Sequence, residues 1–104
     1  MSADEGKRGR LGKRLNSRVP VAIQWIEGGK SATVEARTTD ISPSGCFVVA
    51  PQPILVGQRI RLINLINGKE CDAHVVRHGQ QSASNWELGI QLESQLDDFW
   101  GLDF

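Results

Sequence analysis

At 104 residues, 39% hydrophobic and 23% charged, the chain has the size and composition of one ordinary globular domain. No apolar run approaches the roughly 20 residues of a membrane helix, and residues 1–6 offer no apolar signal-peptide core, so a cytoplasmic location without membrane insertion is expected. The formal charge is zero but unevenly spread: residues 1–18 hold six basic residues against two acidic ones, and residues 19–104 hold six against ten, which makes a +4 arm on a −4 body. A basic arm on an acidic body points to an anionic partner for the arm.

Residues 1–13 are polar, rich in Gly, Lys and Arg, and lack periodicity, which predicts a flexible basic arm ahead of a domain over 14–104. Val19, Val21, Ile23 and Trp25 alternate with Pro20, Ala22 and Gln24, the period of a strand, and Pro20 restricts that strand to an edge or to its first residues. Gly28-Gly29 predicts a turn. Thr33 to Ile41 reads as a second strand, broken by Ser42-Pro43-Ser44-Gly45. Cys46 to Val49 is a short apolar run that suits a buried strand, ended by Pro51 and Pro53. Arg59 to Ile66 and Lys69 to His78 flank Asn67-Gly68, a pair that tolerates the positive φ angles of a two-residue type I′ turn, so they predict a hairpin. Cys71, Ala73 and Val75 share one face of its second strand. Gly79 to Asn85 reads as a polar loop, and Trp86, Leu88, Ile90 and Leu92 alternate as a sixth strand. From Gln95 to Phe104 the period changes. Leu96, Phe99, Trp100 and Leu102 fit a short C-terminal helix capped by Ser94, with Phe99 and Trp100 plugging one end of the domain. Six short strands with tight turns define an all-β barrel or sandwich.

Most of the chemistry-bearing residue types have plain structural readings. Cys46 and Cys71 sit in apolar runs without metal spacing and read as small core residues with free thiols. His74 and His78 share a strand face but have no carboxylate or cysteine at ligand spacing, so no metal is expected. Trp25, Trp86 and Trp100 read as core or barrel-end residues. No acid/base carboxylate pair, P-loop or dinucleotide fingerprint is present, and no enzymatic activity is expected.

Two clusters remain. Arg14 and Arg18 form an R-x-x-x-R where the arm meets the first strand, although Arg10 and Arg14 offer a competing register. Asp40, Ser42 and Gly45 form a D-x-S-x-x-G where the second strand meets its turn. Alone, the second cluster is explained as a turn, since Asp and Ser bond local amides and Gly permits positive φ. Together, in this order and with 21 residues between Arg18 and Asp40, they resemble the PilZ domain family. Val75-Val76-Arg77 and Gly89-Ile90-Gln91-Leu92 resemble the family's last two strands, so the likeness covers roughly residues 13 to 100.

The resemblance implies a six-stranded antiparallel β-barrel that binds cyclic di-GMP, usually as an intercalated dimer. It assigns guanine and phosphate contacts to Arg14 and Arg18, a guanine or arginine contact to Asp40 and a hydroxyl hydrogen bond to Ser42. Gly45 would let the backbone pass close to the ligand or turn sharply, and Lys13 would add charge near phosphate, where many relatives carry another arginine. Arginine suits such a ligand because its planar fork matches guanine O6 and N7, stacks on purines and pairs with phosphate. One of the tryptophans would be free to wall the guanine. The expected function is a receptor that orders its arm on binding and signals to an unidentified partner protein. The alternatives are a ligand-free protein-interaction barrel and a barrel for single-stranded nucleic acid. The acidic body and the few aromatics count against the latter, so no DNA or RNA partner is expected.

Overall fold

The computed structural model describes residues 14–82, 84–93 and 98–101. They form seven strands: β1 (Leu15–Asn16), β2 (Pro20–Glu27), β3 (Lys30–Ser42), β4 (Gly45–Ala50), β5 (Arg59–Asn64), β6 (Glu70–Ser82) and β7 (Asn85–Leu92). All pairings are antiparallel. The order β3-β2-β5-β6-β7-β4 closes through a β3–β4 ladder into a six-stranded barrel, and β1 adds two residues to β3. Closure leaves the barrel strands no continuous free edge.

The alternation in the sequence becomes the core. Val21, Ile23 and Trp25 of β2, Ile60 and Leu62 of β5, Cys71, Ala73 and Val75 of β6, and Leu88, Ile90 and Leu92 of β7 are all buried. Each large aliphatic or aromatic side chain removed from water this way contributes about 1.5–3 kcal/mol. Phe99 is fully buried and Trp100 nearly so, closing the barrel core as the sequence predicts. The helix expected around them is not seen. Residues 94–97 and 102–104 lie outside the described residues, and Asp98 to Gly101 form a turn in which the Gly101 N–H donates to the Asp98 carbonyl at 3.0 Å. The expected flexible arm, residues 1–13, likewise lies outside the described residues.

The turns correct the sequence reading in two places. The type I′ geometry falls at Gly28-Gly29, whose φ angles of 59° and 81° join the paired residues Glu27 and Lys30. At Asn67-Gly68 the predicted hairpin forms, but only Gly68 takes a positive φ, and the connection spans 65–69. Asparagine side chains build this wider loop: Asn64 Oδ1 accepts from the Ile66 N–H and Asn67 Oδ1 from the Lys69 N–H, both at 2.9 Å. The second correction concerns Gly79 to Asn85. Residues up to Ser82 continue β6, and β7 starts at Asn85, with Gln81 opposite Trp86. Exposure on both faces removes the apolar alternation that marks a half-buried strand, so the sequence looks like a loop.

Buried Thr38 fixes the root of the arm. Its hydroxyl accepts from the Val19 N–H at 2.8 Å and donates to the Ser17 carbonyl, while its own N–H donates to the Val19 carbonyl at 3.0 Å. Residues 17–19 are thereby held against β3, and β1 pairs Leu15 with Ile41 and Asn16 with Asp40. The arginine segment thus runs beside the strand that carries the second motif.

Candidate functional site

Two β-bulges decide which side chains leave the core. Along β3, Ala36 and Thr38 face inward and are buried. Strict alternation would send Asp40 and Ser42 the same way. A register shift between Thr38 and Asp40 inserts Thr39, so that Ile41 becomes the buried residue and Asp40 and Ser42 face outward. The same device acts on β6. Val75 is buried, and alternation would bury Arg77. The shift between Val75 and Arg77 leaves Val76 as the extra residue and brings Arg77 opposite Gly89, exposed. A buried unpaired charge is prohibitively costly, so without these bulges neither ionised side chain would be tolerated at its position.

The side chains so released surround an open groove of about 180 Å³ across β3, β4, β7 and β6. Arg14 Nη2 lies 3.1 Å from Asp40 Oδ2. The pair is partly exposed and contributes little to stability. Phe47, half-buried on β4, lies under two cations. The Arg14 guanidinium is 5.7 Å from its ring centroid and that of Arg77 is 5.1 Å. Gly89 makes this packing possible, since a Cβ there would lie 3.1 Å from both Phe47 Cε1 and Arg77 Cγ.

Ser42, Ser44 and Gly45 form the groove's rim. The Ser42 hydroxyl accepts from the Ser44 N–H at 3.3 Å and lies 3.4 Å from the Gly45 carbonyl. Gly45 has an ordinary negative φ, and the reason for a glycine here is space. A Cβ would overlap the Ile90 carbonyl oxygen of β7, so the two backbones meet directly beneath the turn. Burial pushes the thiol of Cys46, also on the groove, well up from its ordinary value, which leaves it neutral and a poor nucleophile.

Of the six residues singled out from sequence, the structure thus brings Arg14, Asp40, Ser42 and Gly45 together at one groove. Arg18 does not join them. It lines a neighbouring groove with Arg37, Glu35 and Asn85. Lys13 lies outside the described residues. Sequence reading missed Phe47 and the site role of Arg77 and Gly89, because only the cross-strand register, Phe47 to Gly89 and Arg77 to Gly89, assembles them. His74 and His78 are engaged elsewhere: His74 Nδ1 lies 3.6 Å from Glu93, and His78 Nε2 is 2.6 Å from the Ile54 carbonyl.

Two guanidinium groups over an aromatic face, a carboxylate and a hydroxyl-lined turn can recognise a planar, hydrogen-bonding, anionic molecule. The molecule is therefore of the class of small all-β barrels with an arginine-flanked groove on the outer wall. The family follows from comparison. The PilZ domain model matches residues 12–99, and the chain belongs to the PilZ domain family. Members of that family are generally cyclic di-GMP receptors, binding and adaptor domains rather than enzymes. None of the curated proteins matches the chain.

Proposed function

We propose that this domain binds cyclic di-GMP in the groove of Arg14, Asp40, Ser42, Gly45 and Arg77, and that binding orders its basic N-terminal segment to signal to a partner protein in the cytoplasm. The observation that carries the reading is that Arg14 of the first motif meets Asp40 of the second at 3.1 Å, beside an aromatic ring already flanked by two arginines. Arg14 and Arg77 offer forks for guanine edges and phosphates. Asp40 accepts from a guanine N–H or holds Arg14 in place. Ser42 supplies a hydroxyl, and Gly45 keeps the turn close to the barrel wall.

Groove size supports the arm-ordering part. Pockets that enclose a small ligand usually measure about 300–1,000 Å³. At about 180 Å³ this groove holds only part of a dinucleotide. The remainder needs a cover, and the segment of Lys7, Arg8, Arg10 and Lys13 joins the barrel at Arg14, on the groove's edge. Thr38 keeps residues 17–19 on β3, so the ordering motion falls on residues 14–16 and Arg18 reaches the ligand only by its long side chain from the neighbouring groove. The two-residue β1 pairing resists that motion only weakly.

Calorimetric titration with cyclic di-GMP, with GTP as control, tests the reading. Saturable binding that is strongly weakened in Arg14→Ala is expected. No binding at tens of micromolar would leave a protein-interaction barrel as the function.

A further inference from the structure

Ser42 faces two partners with two groups. Its hydroxyl belongs to the groove turn, while its carbonyl oxygen accepts a hydrogen bond from Trp100 Nε1 at 2.9 Å, across 58 residues of sequence. Trp100 is itself firmly held. It is 6% exposed and packs edge-on against Phe99, with ring centroids 4.8 Å apart at 82°. Phe99 is fully buried, and its carbonyl accepts from Asn64 Nδ2 at 2.9 Å and from Asn67 Nδ2 at 3.2 Å. Asn64 is buried too, and its Oδ1 accepts from the Ile66 N–H. A continuous set of bonds thus runs from the β5–β6 loop, through the C-terminal turn, to the backbone of the ligand turn. Trp100 itself does not line the groove.

We infer that Trp100 is a positioning residue for the ligand turn. It fixes the Ser42 backbone from behind, so that the Ser42 hydroxyl and the peptide groups up to Gly45 are preorganised before ligand arrives. The inference rests on the groove being the cyclic di-GMP site. The turn needs such an anchor because it is a two-residue connection whose Ser44 is exposed. One other tether is the Leu92 N–H, which donates to the Ser44 carbonyl at 2.8 Å. Removing the indole N–H deprives the half-buried Ser42 carbonyl of that donor. The turn then samples other arrangements, and binding has to reorder it.

Trp100→Phe keeps an aromatic ring in the core and deletes the donor, so it is the variant to make. Two measurements are read on it and on the wild type. The first is amide hydrogen exchange at Gly45 and Cys46, with the remote Gly28-Gly29 turn as internal reference. The second is calorimetric affinity for cyclic di-GMP. Exchange at the ligand turn is expected to rise about five- to tenfold with the reference unchanged, and affinity to fall by about the same factor, the scale of one lost hydrogen bond. Unchanged exchange at Gly45 and Cys46 overturns the inference, as does an unchanged affinity in a protein that binds. If the wild type does not bind, the function proposed above fails, and the exchange result alone decides the anchoring. Should Trp100→Phe not fold, Asn67→Ala, which removes one of the two bonds to the Phe99 carbonyl, carries the same readouts with the same expected direction.

Discussion

On the outer face of β5 and β6, Arg61 lies 3.3 Å from Glu70 and 3.2 Å from Asp72, its neighbour across the ladder, and Arg59 lies 2.9 Å from Glu93. In the groove, two arginines stand beside one carboxylate: Arg14 pairs with Asp40, and Arg77 has no carboxylate partner among the described residues, only the face of Phe47. The first face is electrostatically finished. Hydrogen bonds and charge from Asp72, then from Glu70, raise the Arg61 pKa above its ordinary value, so its charge is balanced where it stands. The groove instead keeps a cation in excess beside an aromatic ring. The number of arginines does not separate a binding surface from a solvated one. What separates the two faces is whether carboxylates already balance the guanidinium charge.

The contrast can be broken by substitution. The largest effect is expected from Arg14→Ala, which removes a charge-assisted contact at the edge of the groove and should weaken cyclic di-GMP binding about 10- to 100-fold by calorimetry. Equal affinity in wild type and variant would remove the groove from the account. Gly45→Ala acts on the scaffold: with the Ile90 carbonyl in the way of the new methyl, β4 must separate from β7, and thermal unfolding should show a loss of about 1–3 kcal/mol. Phe47→Leu keeps apolar bulk but removes the π face under both arginines. It should lower affinity about three- to tenfold with little change in melting temperature. The smallest effect belongs to Arg61→Ala. Neither affinity nor melting temperature should move beyond error, and a clear drop in affinity would show that the two faces do not differ as described.

The sequence discloses the site unevenly, for physical reasons. Period-2 runs such as Val19 to Trp25 and Trp86 to Leu92 disclose their strands because one face is buried. Gln80 to Ser82 do not, because neither face is. Arg14, Asp40, Ser42 and Gly45 are legible as a spaced pattern, and they meet at one groove. The pattern could not show that Arg18 would line a different groove. It also could not show that Thr39 and Val76 would be bulged, although those two extra residues are what turn Asp40 and Arg77 outward. Phe47 carries no local signal at all, for its place in the groove arises from its pairing with Gly89, far along the chain on β7. The C-terminal segment was legible as apolar and barrel-closing but not as a turn. Spacing of Leu96, Phe99 and Trp100 fits a helical face, whereas Asn64 and Asn67 hold the Phe99 carbonyl, and Gly101 takes a φ of 73°.

Gly45 and Gly89 both keep the groove free of side chains, yet they would fail differently in a population of variants. At position 45 the obstacle is a backbone carbonyl, which cannot step aside, whereas at 89 it is the tip of a ring and the stem of an arginine, which can. A library of all substitutions, sorted first for expression and then for capture on immobilised nucleotide, would lose position 45 at the first sort and position 89 only at the second. Two glycines that both lack a side chain would thus answer to separate demands, one for a chain that folds and one for a groove whose ring and arginine keep their places.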